Sequence, residues 1–256
     1  MILSAMLAVW LFMTTIWVIS IIIKNVSIVD TIFSINYILI HLAYLYHKTP
    51  DIIDACLFLA TLIWAIRLSL HIGIKNIGLG EEKRYQRFRE NYGKERYWWF
   101  SYFQVFILQG AFLLIFASPI HISYYTPLNN PMYPLAIIGF LLFLFGFLYE
   151  TIADLQLYRF KQQNDHAAFL SSGLWRYSRH PNYFGELCLW FGLGLAAFAK
   201  APSLFALISF IGPLFQTYVM SQLSGPKNHE PHMLKEKPGF KDYQDATPTI
   251  IPNFLK

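Results

Sequence analysis

The sequence predicts an all-α membrane protein built as one bundle of about seven transmembrane helices. Three observations lead to this class. Aliphatic and aromatic residues make up 55% of the 256 residues and charged residues only 14%, whereas soluble chains carry about a quarter charged residues. The mean hydropathy is +0.40. Apolar segments near the length of a bilayer crossing recur along the whole chain, which leaves no room for a substantial soluble domain.

Seven apolar segments justify the number of helices. The second of them is interrupted by Asp30, Asn36, Tyr37 and His41, which predicts a short helix lining a cavity or a partly re-entrant segment. The first has no basic region and no small-residue cleavage site, so we interpret it as a retained span rather than a signal peptide. The segments are 3–23, 29–46, 52–72, 103–120, 132–155, 183–199 and 203–222.

The basic residues predict the orientation of this multi-pass protein. An odd number of spans places alternate connections on opposite sides, and one side holds only Lys48 and Lys200. Lysine and arginine accumulate in cytoplasmic loops, so the richer side and the C-terminus are expected to be cytosolic, at the inner membrane in a bacterium. The richer side holds Lys24, Lys75, Lys83, Arg84, Arg87, Arg89, Lys94, Arg96, Arg159, Lys161, Arg176, Arg179, Lys227, Lys235, Lys237, Lys241 and Lys256.

The loop over residues 73–100 is too charged to cross a bilayer. Within it, residues 81–89 show an amphipathic helical pattern, with Tyr85 and Phe88 three apart. The run from Tyr97 to Phe100 is aromatic throughout and precedes the fourth span. This pattern predicts an interfacial helix followed by an aromatic belt.

Residues 173–186 place several polar and charged side chains at the start of an apolar segment. Pro181 is suited to the first turn of the sixth helix, whose free amides and dipole would attract an anion. Arg176 and Arg179 precede it, and Arg159 and Lys161 leave the fifth helix on the same side. Four converging cations favour a nucleotide phosphate, although lipid headgroups explain Arg159 and Lys161 equally well.

Carboxylates accompany these cations inside the apolar segments. Asn182 and Glu186 are four residues apart and share a helix face, and a lipid-facing carboxylate would be costly, which favours a functional role. Glu150 and Asp154 form a similar pair at the end of the fifth helix. They are suited to hydrogen bonds with ribose or amide groups of a nucleotide, or to a structural ion-pair network.

The C-terminal tail and the second segment supply further candidates. His229 and His232 are spaced like half of a metal site, but Pro231 lies between them and no other ligands converge, so no metal is expected. A tail that closes over a cofactor fits better. In the second segment, Tyr37 or His41 could donate a proton to a substrate, although a lone helical tyrosine is more often a packing residue.

Several of these motifs resemble a known family. Residues 172–186, 239–243 and 251–252 resemble bacterial membrane proteins of the steroid 5-alpha-reductase-like superfamily, and residues 63–69 and 80–85 fit the same group. The nearest resemblance is to the family of uncharacterised function allied to the 3-oxo-5-alpha-steroid 4-dehydrogenases. It covers most of the chain after about residue 29. The Arg-His-Pro-Asn-Tyr-x-Gly-Glu element is specific to this broad group and not to one substrate.

The resemblance implies a single integral membrane domain that binds NADPH from the cytosol. Substrate-side helices would occupy about residues 1–130, and cofactor-side helices with a capping tail about 131–256. The reaction implied is reduction of a carbon–carbon double bond conjugated to a carbonyl, with hydride passing from the cofactor. The resemblance and the cation pattern together predict these cofactor-binding residues: Asp154, Arg159, Lys161, Arg176, Tyr177, Arg179, His180, Asn182, Glu186 and His232.

The candidate catalytic residues are Tyr37, His41 and Glu186. Steroid reductases carry a Gln-Glu pair in the second helix and a tyrosine in the third, whereas this chain has Asn36, Tyr37 and His41 in the second and Trp64 in the third. The expected substrate is therefore broader: a hydrophobic enone or a sterol-like or isoprenoid-like lipid that enters from the bilayer. Tyr37 or His41 would polarise its carbonyl.

Two other functions compete with this one. An S-adenosylmethionine-dependent membrane methyltransferase of the isoprenylcysteine or phospholipid type shares an Arg-His-Pro-x-Tyr-x-Gly element, but such enzymes carry a Glu-Glu pair in the tail where this chain has only Glu230. A non-enzymatic lipid-binding protein ranks third because it leaves the polar cluster unexplained. The expected partners are membrane lipids and a hydrophobic small molecule or lipid substrate, with no nucleic acid.

Overall fold

The computed structural model describes residues 1–93, 95–163, 169–223 and 225–255, without the side chains of Asn228 and His229. Lys94, Lys256 and the side chain of His229 therefore lie outside the described part. The described residues form helices joined by turns, with no strand among them. The chain divides into two compact units, Met1–Leu128 and Asn129–Lys256.

The described residues of the first unit form eight α-helices. Helix α1 packs against α3, and α3 packs in turn against α4. A π-helical stretch, Tyr102–Ile107, joins α6 and α7 into one continuous helix over Tyr97–Phe116. The helices are α1 (Ile2–Ile22), α2 (Ile28–Ile32), α3 (Ile35–Leu45), α4 (Ile52–Asn76), α5 (Lys83–Tyr92), α6 (Tyr97–Ser101), α7 (Leu108–Phe116) and α8 (Ser118–Tyr125).

The second unit is built around two long helices that pack against each other, α9 and α10. Its shorter elements follow in the C-terminal part of the chain. The helices are α9 (Tyr133–Gln163), α10 (Pro181–Ala199), α11 (Ile211–Tyr218), α12 (Pro226–Glu236) and α13 (Phe240–Ala246). Short 3-10 helices span Gly173–Arg176 and Ala206–Phe210, and a π-helical stretch spans Val219–Leu223.

Four helices of the described chain are long and apolar enough to cross a membrane: Ile2–Ile22, Ile52–Asn76, Tyr97–Phe116 and Tyr133–Gln163. The membrane class is therefore confirmed, and the prediction of seven spans is wrong. The polar segment 29–46 is divided between α2 and the shorter α3. The segment 203–222 is divided among 3-10, α and π turns. Helix α10 begins with Asn182 and Glu186 in its first two turns, which reduces its apolar character.

Polar capping places the first turn of α4. The Asp51 side chain accepts hydrogen bonds from the backbone N–H groups of Ile53 and Asp54, and the Asp54 carboxylate accepts from the N–H of Asp51. Asp54 is fully buried. The Asp54 carboxylate also accepts a hydrogen bond from the Ser123 hydroxyl and forms an ion pair with Lys48 at 3.3 Å. This network fixes the start of α4 against α8.

The amphipathic helix predicted in the charged loop is confirmed as α5. Its Tyr85 is buried and donates a hydrogen bond to Asp30, which also accepts one from Arg84 at 2.9 Å. Arg89 forms a two-point ion pair with Glu81 at 2.8 and 3.1 Å. The charges of this loop therefore attach α5 to α2 and to the turn that precedes it.

Candidate active site in the second unit

Four glycines allow α9 and α10 to approach each other closely. Gly139 and Gly146 lie seven residues apart on α9, and Gly185 and Gly192 lie seven apart on α10. A methyl group added at Gly185 would meet the Gly146 oxygen at 2.7 Å and the Glu150 nitrogen at 2.5 Å. Such distances leave room for hydrogen alone, so the helix backbones are in direct contact.

This contact determines which polar residues face each other. The pairing of Gly139 with Gly192 and of Gly146 with Gly185 makes the two helices antiparallel. The C-terminal turns of α9 then lie beside the N-terminal turns of α10. Asp154 on α9 consequently accepts a hydrogen bond from the Asn182 side chain on α10, with 3.2 Å between the nitrogen and the oxygen.

A third helix joins the same row of side chains. One turn after Asn182, Glu186 accepts a hydrogen bond from the Gln216 side chain of α11 at 2.7 Å. Asp154 is 6% exposed and Gln216 is 4% exposed. Sequence reasoning identified Asp154, Asn182 and Glu186, and the structure brings them together. It missed Gln216, because no local pattern predicts which residue of a separate helix will face Glu186.

The carbonyl oxygens of the two amides in this row, Asn182 and Gln216, accept no hydrogen bond from the described residues. A carboxylate only accepts hydrogen bonds, so Asn182 directs its NH₂ group at Asp154 and Gln216 directs its NH₂ group at Glu186. The carbonyl oxygen of each amide then points away from its carboxylate. Neither Asn182 Oδ1 nor Gln216 Oε1 has a hydrogen-bond partner among the described residues, and both atoms are buried. A buried acceptor without a partner costs about 1–3 kcal/mol. The row therefore has unused capacity to accept hydrogen bonds.

The residues before α10 pair with the end of the chain in an extended arrangement. The backbone N–H groups of Arg179 and His180 donate to the carbonyls of Pro248 and Thr249, both at 2.9 Å. The Asn253 N–H donates to the Tyr177 carbonyl at 2.9 Å. These bonds fix the C-terminal segment, residues 226–255, against the start of α10. The tail therefore contacts the residues before α10, and its closing over a cofactor remains a prediction.

Arg179 is the main side chain of this attachment. Its guanidinium donates five hydrogen bonds, two of them to the Glu230 carboxylate at 2.8 and 3.1 Å. The other three go to the Gln244 carbonyl, the Thr247 carbonyl and the Thr249 hydroxyl. A guanidinium has five N–H donors, so the donors of Arg179 are directed at the C-terminal segment. Its predicted role beside a phosphate remains a prediction.

The Glu230 carboxylate is the centre of this attachment. His180 Nε2 lies 3.1 Å from one of its oxygens, and the Gln244 amide donates to the other at 2.8 Å. Burial alone would raise the pKa of Glu230, but the hydrogen bonds from His180, Arg179 and Gln244 outweigh it and lower the pKa to about 2. Glu230 is therefore ionised at neutral pH and paired within the protein.

The other predicted cofactor residues differ in exposure and contacts. Arg159, Lys161 and Arg176 are exposed, and their predicted roles beside a phosphate remain predictions. Tyr177 is partly exposed, and its ring packs against Phe254. His232 is exposed and pairs with Glu236 one turn later on α12, away from the hydrogen bonds that surround Glu230.

The predicted catalytic residues of the first unit are buried. Asn36 and His41 are 0% exposed and Tyr37 is 1% exposed. Tyr37 packs edge-on against Trp64. The His41 Nδ1 lies 3.3 Å from the Tyr124 hydroxyl of α8, and its Nε2 has no hydrogen-bond partner among the described residues. The proton-donor roles of Tyr37 and His41 remain predictions, and Tyr124 was not expected.

A second pair beside His41 joins a hydroxyl to an imidazole. The Tyr44 hydroxyl lies 2.7 Å from His121 Nδ1, and His121 Nε2 lies 2.9 Å from the Leu114 carbonyl. The carbonyl can only accept, so Nε2 carries a proton, and in the neutral imidazole Nδ1 accepts from Tyr44. If the Tyr124 hydroxyl donates to His41 Nδ1, the proton of the neutral His41 imidazole lies on Nε2. The His41 Nε2–H is then a donor without a partner among the described residues.

Comparison with known proteins identifies a family but no activity. The model of the family described as "Protein of unknown function (DUF1295)" matches residues 16–247. The fission yeast protein described as "Uncharacterized protein C594.04c" is 28% identical over an alignment of 270 residues. The alignment covers 92% of this chain and 75% of the yeast protein. No solved structure matches.

Proposed function

We propose that this chain, which belongs to the DUF1295 family over most of its length, is a membrane-embedded oxidoreductase. It would use NADPH to reduce a conjugated carbon–carbon double bond in a hydrophobic enone or a sterol-like or isoprenoid-like lipid. The observation that carries the proposal is the row formed by Asp154, Asn182, Glu186 and Gln216 beside the docked C-terminal segment. The steroid 5-alpha-reductase-like resemblance supplies the reaction.

The residues of the second unit are suited to a dinucleotide in two ways. Asp154, Asn182, Glu186 and Gln216 offer hydrogen-bond acceptors of the kind that bind ribose hydroxyls and NH₂ groups. The exposed cations Arg159, Lys161 and Arg176 offer charge for phosphates. In this proposal Arg179 and His180 act mainly by holding the C-terminal segment over the start of α10. NADPH would supply the hydride, and the protein would bind and orient it.

The polar groups of the first unit are suited to the carbonyl of the substrate. An enone that accepts hydride at its β carbon develops negative charge on the carbonyl oxygen, which a neutral donor can stabilise. His41 Nε2 is the better candidate, because it lacks a partner among the described residues. Tyr37 is the second. A hydrophobic substrate would reach these two residues from the bilayer. Glu186, on α10 of the second unit, is a third candidate proton source.

Orientation is part of the proposal. With four spans, the charged loop between Asn76 and Tyr97 and the segment after Gln163 fall on the same side of the membrane. Most lysines and arginines of the chain lie in these two regions, which favours a cytosolic C-terminal segment. The cofactor would then bind from the cytosol. A C-terminal reporter that is active in the cytosol supports this orientation, and one active only in the periplasm or lumen contradicts it.

The decisive experiment is ligand binding to detergent-purified protein. NADPH and S-adenosylmethionine are titrated separately against the same preparation by calorimetry. The proposal predicts that NADPH binds and that S-adenosylmethionine does not. Binding of S-adenosylmethionine without NADPH would replace the reductase proposal with the methyltransferase hypothesis. Binding of neither ligand would favour a non-enzymatic lipid-binding protein. The ion pair between Glu230 and Arg179 argues against methyl transfer, because it leaves that carboxylate engaged within the protein.

A further inference from the structure

Gln216 is the least expected member of the row at the start of α10. It lies on α11, is 4% exposed, and donates its NH₂ group to Glu186. Its Oε1 has no partner among the described residues. Asn182, which precedes Glu186 by one helical turn, repeats the arrangement with Asp154. Two buried amide oxygens with no partner therefore flank the same turn of α10.

We propose that Asn182 Oδ1 and Gln216 Oε1 form a recognition site for an NH₂ group of the cofactor, with Gln216 as a specificity-determining residue. The inference rests on the proposed use of NADPH. Both oxygens accept hydrogen bonds and cannot donate them, so the matching ligand group is a donor. An NH₂ group has two hydrogens and is neutral, and it can satisfy both oxygens or either of them.

The same chemistry excludes a phosphate from this position. A phosphate is an anion whose oxygens accept hydrogen bonds, and it would face two carbonyl oxygens together with Glu186 and Asp154. Arg159 and Arg176 are exposed, and the Arg179 guanidinium directs its donors at the C-terminal segment. The row beside Gln216 is therefore assigned to an uncharged, donor-bearing part of the dinucleotide, and the phosphates to the exposed cations.

Two parts of NADPH carry an NH₂ group: the carboxamide of the nicotinamide and the amino group of the adenine. Close analogues separate them. In the 3-acetylpyridine analogue a methyl group replaces the NH₂ of the carboxamide. In the hypoxanthine analogue an oxygen replaces the amino group of the adenine. Each analogue removes one NH₂ donor and leaves the phosphates and the other base unchanged. In hypoxanthine the ring N1 also gains a hydrogen, so a loss of affinity there reports the replacement of NH₂ by oxygen together with this change.

The test measures the dissociation constants of NADPH and both analogues with the unmodified protein. We expect one analogue to bind roughly tenfold or more weakly than NADPH, because it leaves a buried acceptor without a partner. The weakened analogue identifies which NH₂ group occupies the site. Equal binding of all three ligands would overturn the inference and leave the proposed function standing. No binding of NADPH itself would overturn the proposed function, and the inference with it.

A substitution then links the discrimination to Gln216. Gln216→Met keeps the length of the side chain and removes its acceptor, while Asn182 Oδ1 stays in place, so the preference for NADPH over the weakened analogue should shrink. The matched control is Leu214→Met, on the exposed side of the same helix, which should keep the full preference. A Gln216→Met protein that still discriminates as well as the unmodified protein contradicts the role of Gln216. The measurements on the unmodified protein do not depend on how well the variant folds.

Discussion

Two buried polar regions, one in each unit, differ in charge. In the first unit, α3 and α8 bury His41, Tyr44 and Tyr124, whose hydroxyl and imidazole groups pair with one another or with His121. In the second unit, the start of α10 brings together carboxylates, amides and a guanidinium. The cost of burying charge explains the contrast, because neutral groups can be enclosed among helices while charges need partners with full hydrogen bonding.

This difference in charge suits the two regions to different roles in the proposed reaction. Neutral donors are suited to polarise a carbonyl without leaving a charge buried before substrate arrives. Charged groups and spare acceptors are suited to a polar dinucleotide. The comparison therefore predicts that changes in the first unit affect turnover, whereas changes in the second affect the attachment of the C-terminal segment and the binding of cofactor.

Removing the guanidinium should have the largest effect. Arg179→Ala leaves the Glu230 carboxylate buried without its main partner, which costs about 3–5 kcal/mol in comparable ion pairs. We expect residues 226–255 to become sensitive to protease and NADPH affinity to fall at least about tenfold. The control is Lys241→Ala, which breaks the exposed pair with Asp245 and should change neither quantity. A resistant C-terminal segment in Arg179→Ala would contradict the role assigned to this ion pair.

The same attachment should depend on pH. The pKa of Glu230 is about 2 in the folded protein, below the ordinary value of 4.5. A lowered pKa stabilises the folded state above the ordinary value, and this stabilisation is lost as the pH falls from about 4.5 to about 2. Pepsin cleavage of the C-terminal segment should therefore begin in that window. Glu230→Gln should remove the pH dependence, and an unchanged profile would mean that another group governs release.

The next effect concerns the close helix pair. Gly185→Ala places a methyl group against the backbone of Gly146 and Glu150, and overpacking against rigid backbone costs about 3 kcal/mol. The melting temperature in detergent should fall by roughly 6–12 °C. Gly110→Ala in the first unit is the control, because its added methyl group meets only Val9 and Met13 side chains at 3.6 and 3.8 Å. Equal melting temperatures for both variants would contradict direct backbone contact.

A change confined to the first unit should separate chemistry from binding. Replacing both Tyr37 by Phe and His41 by Leu removes the candidate donors and retains similar size. Turnover of an enone should fall by about 10²-fold, the effect of losing one donor to a developing oxyanion, while NADPH affinity stays the same. Trp64→Phe, which alters the packing beside Tyr37, serves as the control. Turnover at the unmodified rate would direct the search to Tyr85 or Glu186.

The smallest effect should come from an exposed cation. Arg159→Ala removes one charge from the surface of the second unit, where solvent screens it, so NADPH affinity should weaken only about threefold. The difference should vanish in high salt, because exposed charges are screened. Isothermal titration at low and high salt measures both values. A loss that persists at high salt would indicate that Arg159 makes a direct bidentate contact with a phosphate.

Some parts of the fold and site were accessible from local patterns. The amphipathic repeat predicts α5, and Pro181 predicts the start of α10. The four-residue spacing of Asn182 and Glu186 predicts a shared face. These inferences need only neighbours along one helix, and such neighbours are visible in any sequence. The number of spans was wrong because segments of similar apolar content can fold as one helix or as several short pieces.

The sequence by itself determined that this is a helical membrane protein with charged residues concentrated before α10, because composition and periodicity do not depend on which helices meet. Only the tertiary structure decided the partners. Gly146 contacts Gly185, Arg179 pairs with Glu230 across 51 residues, and Gln216 reaches Glu186 across 30. Each contact joins segments that are far apart along the chain, so no local pattern specifies it.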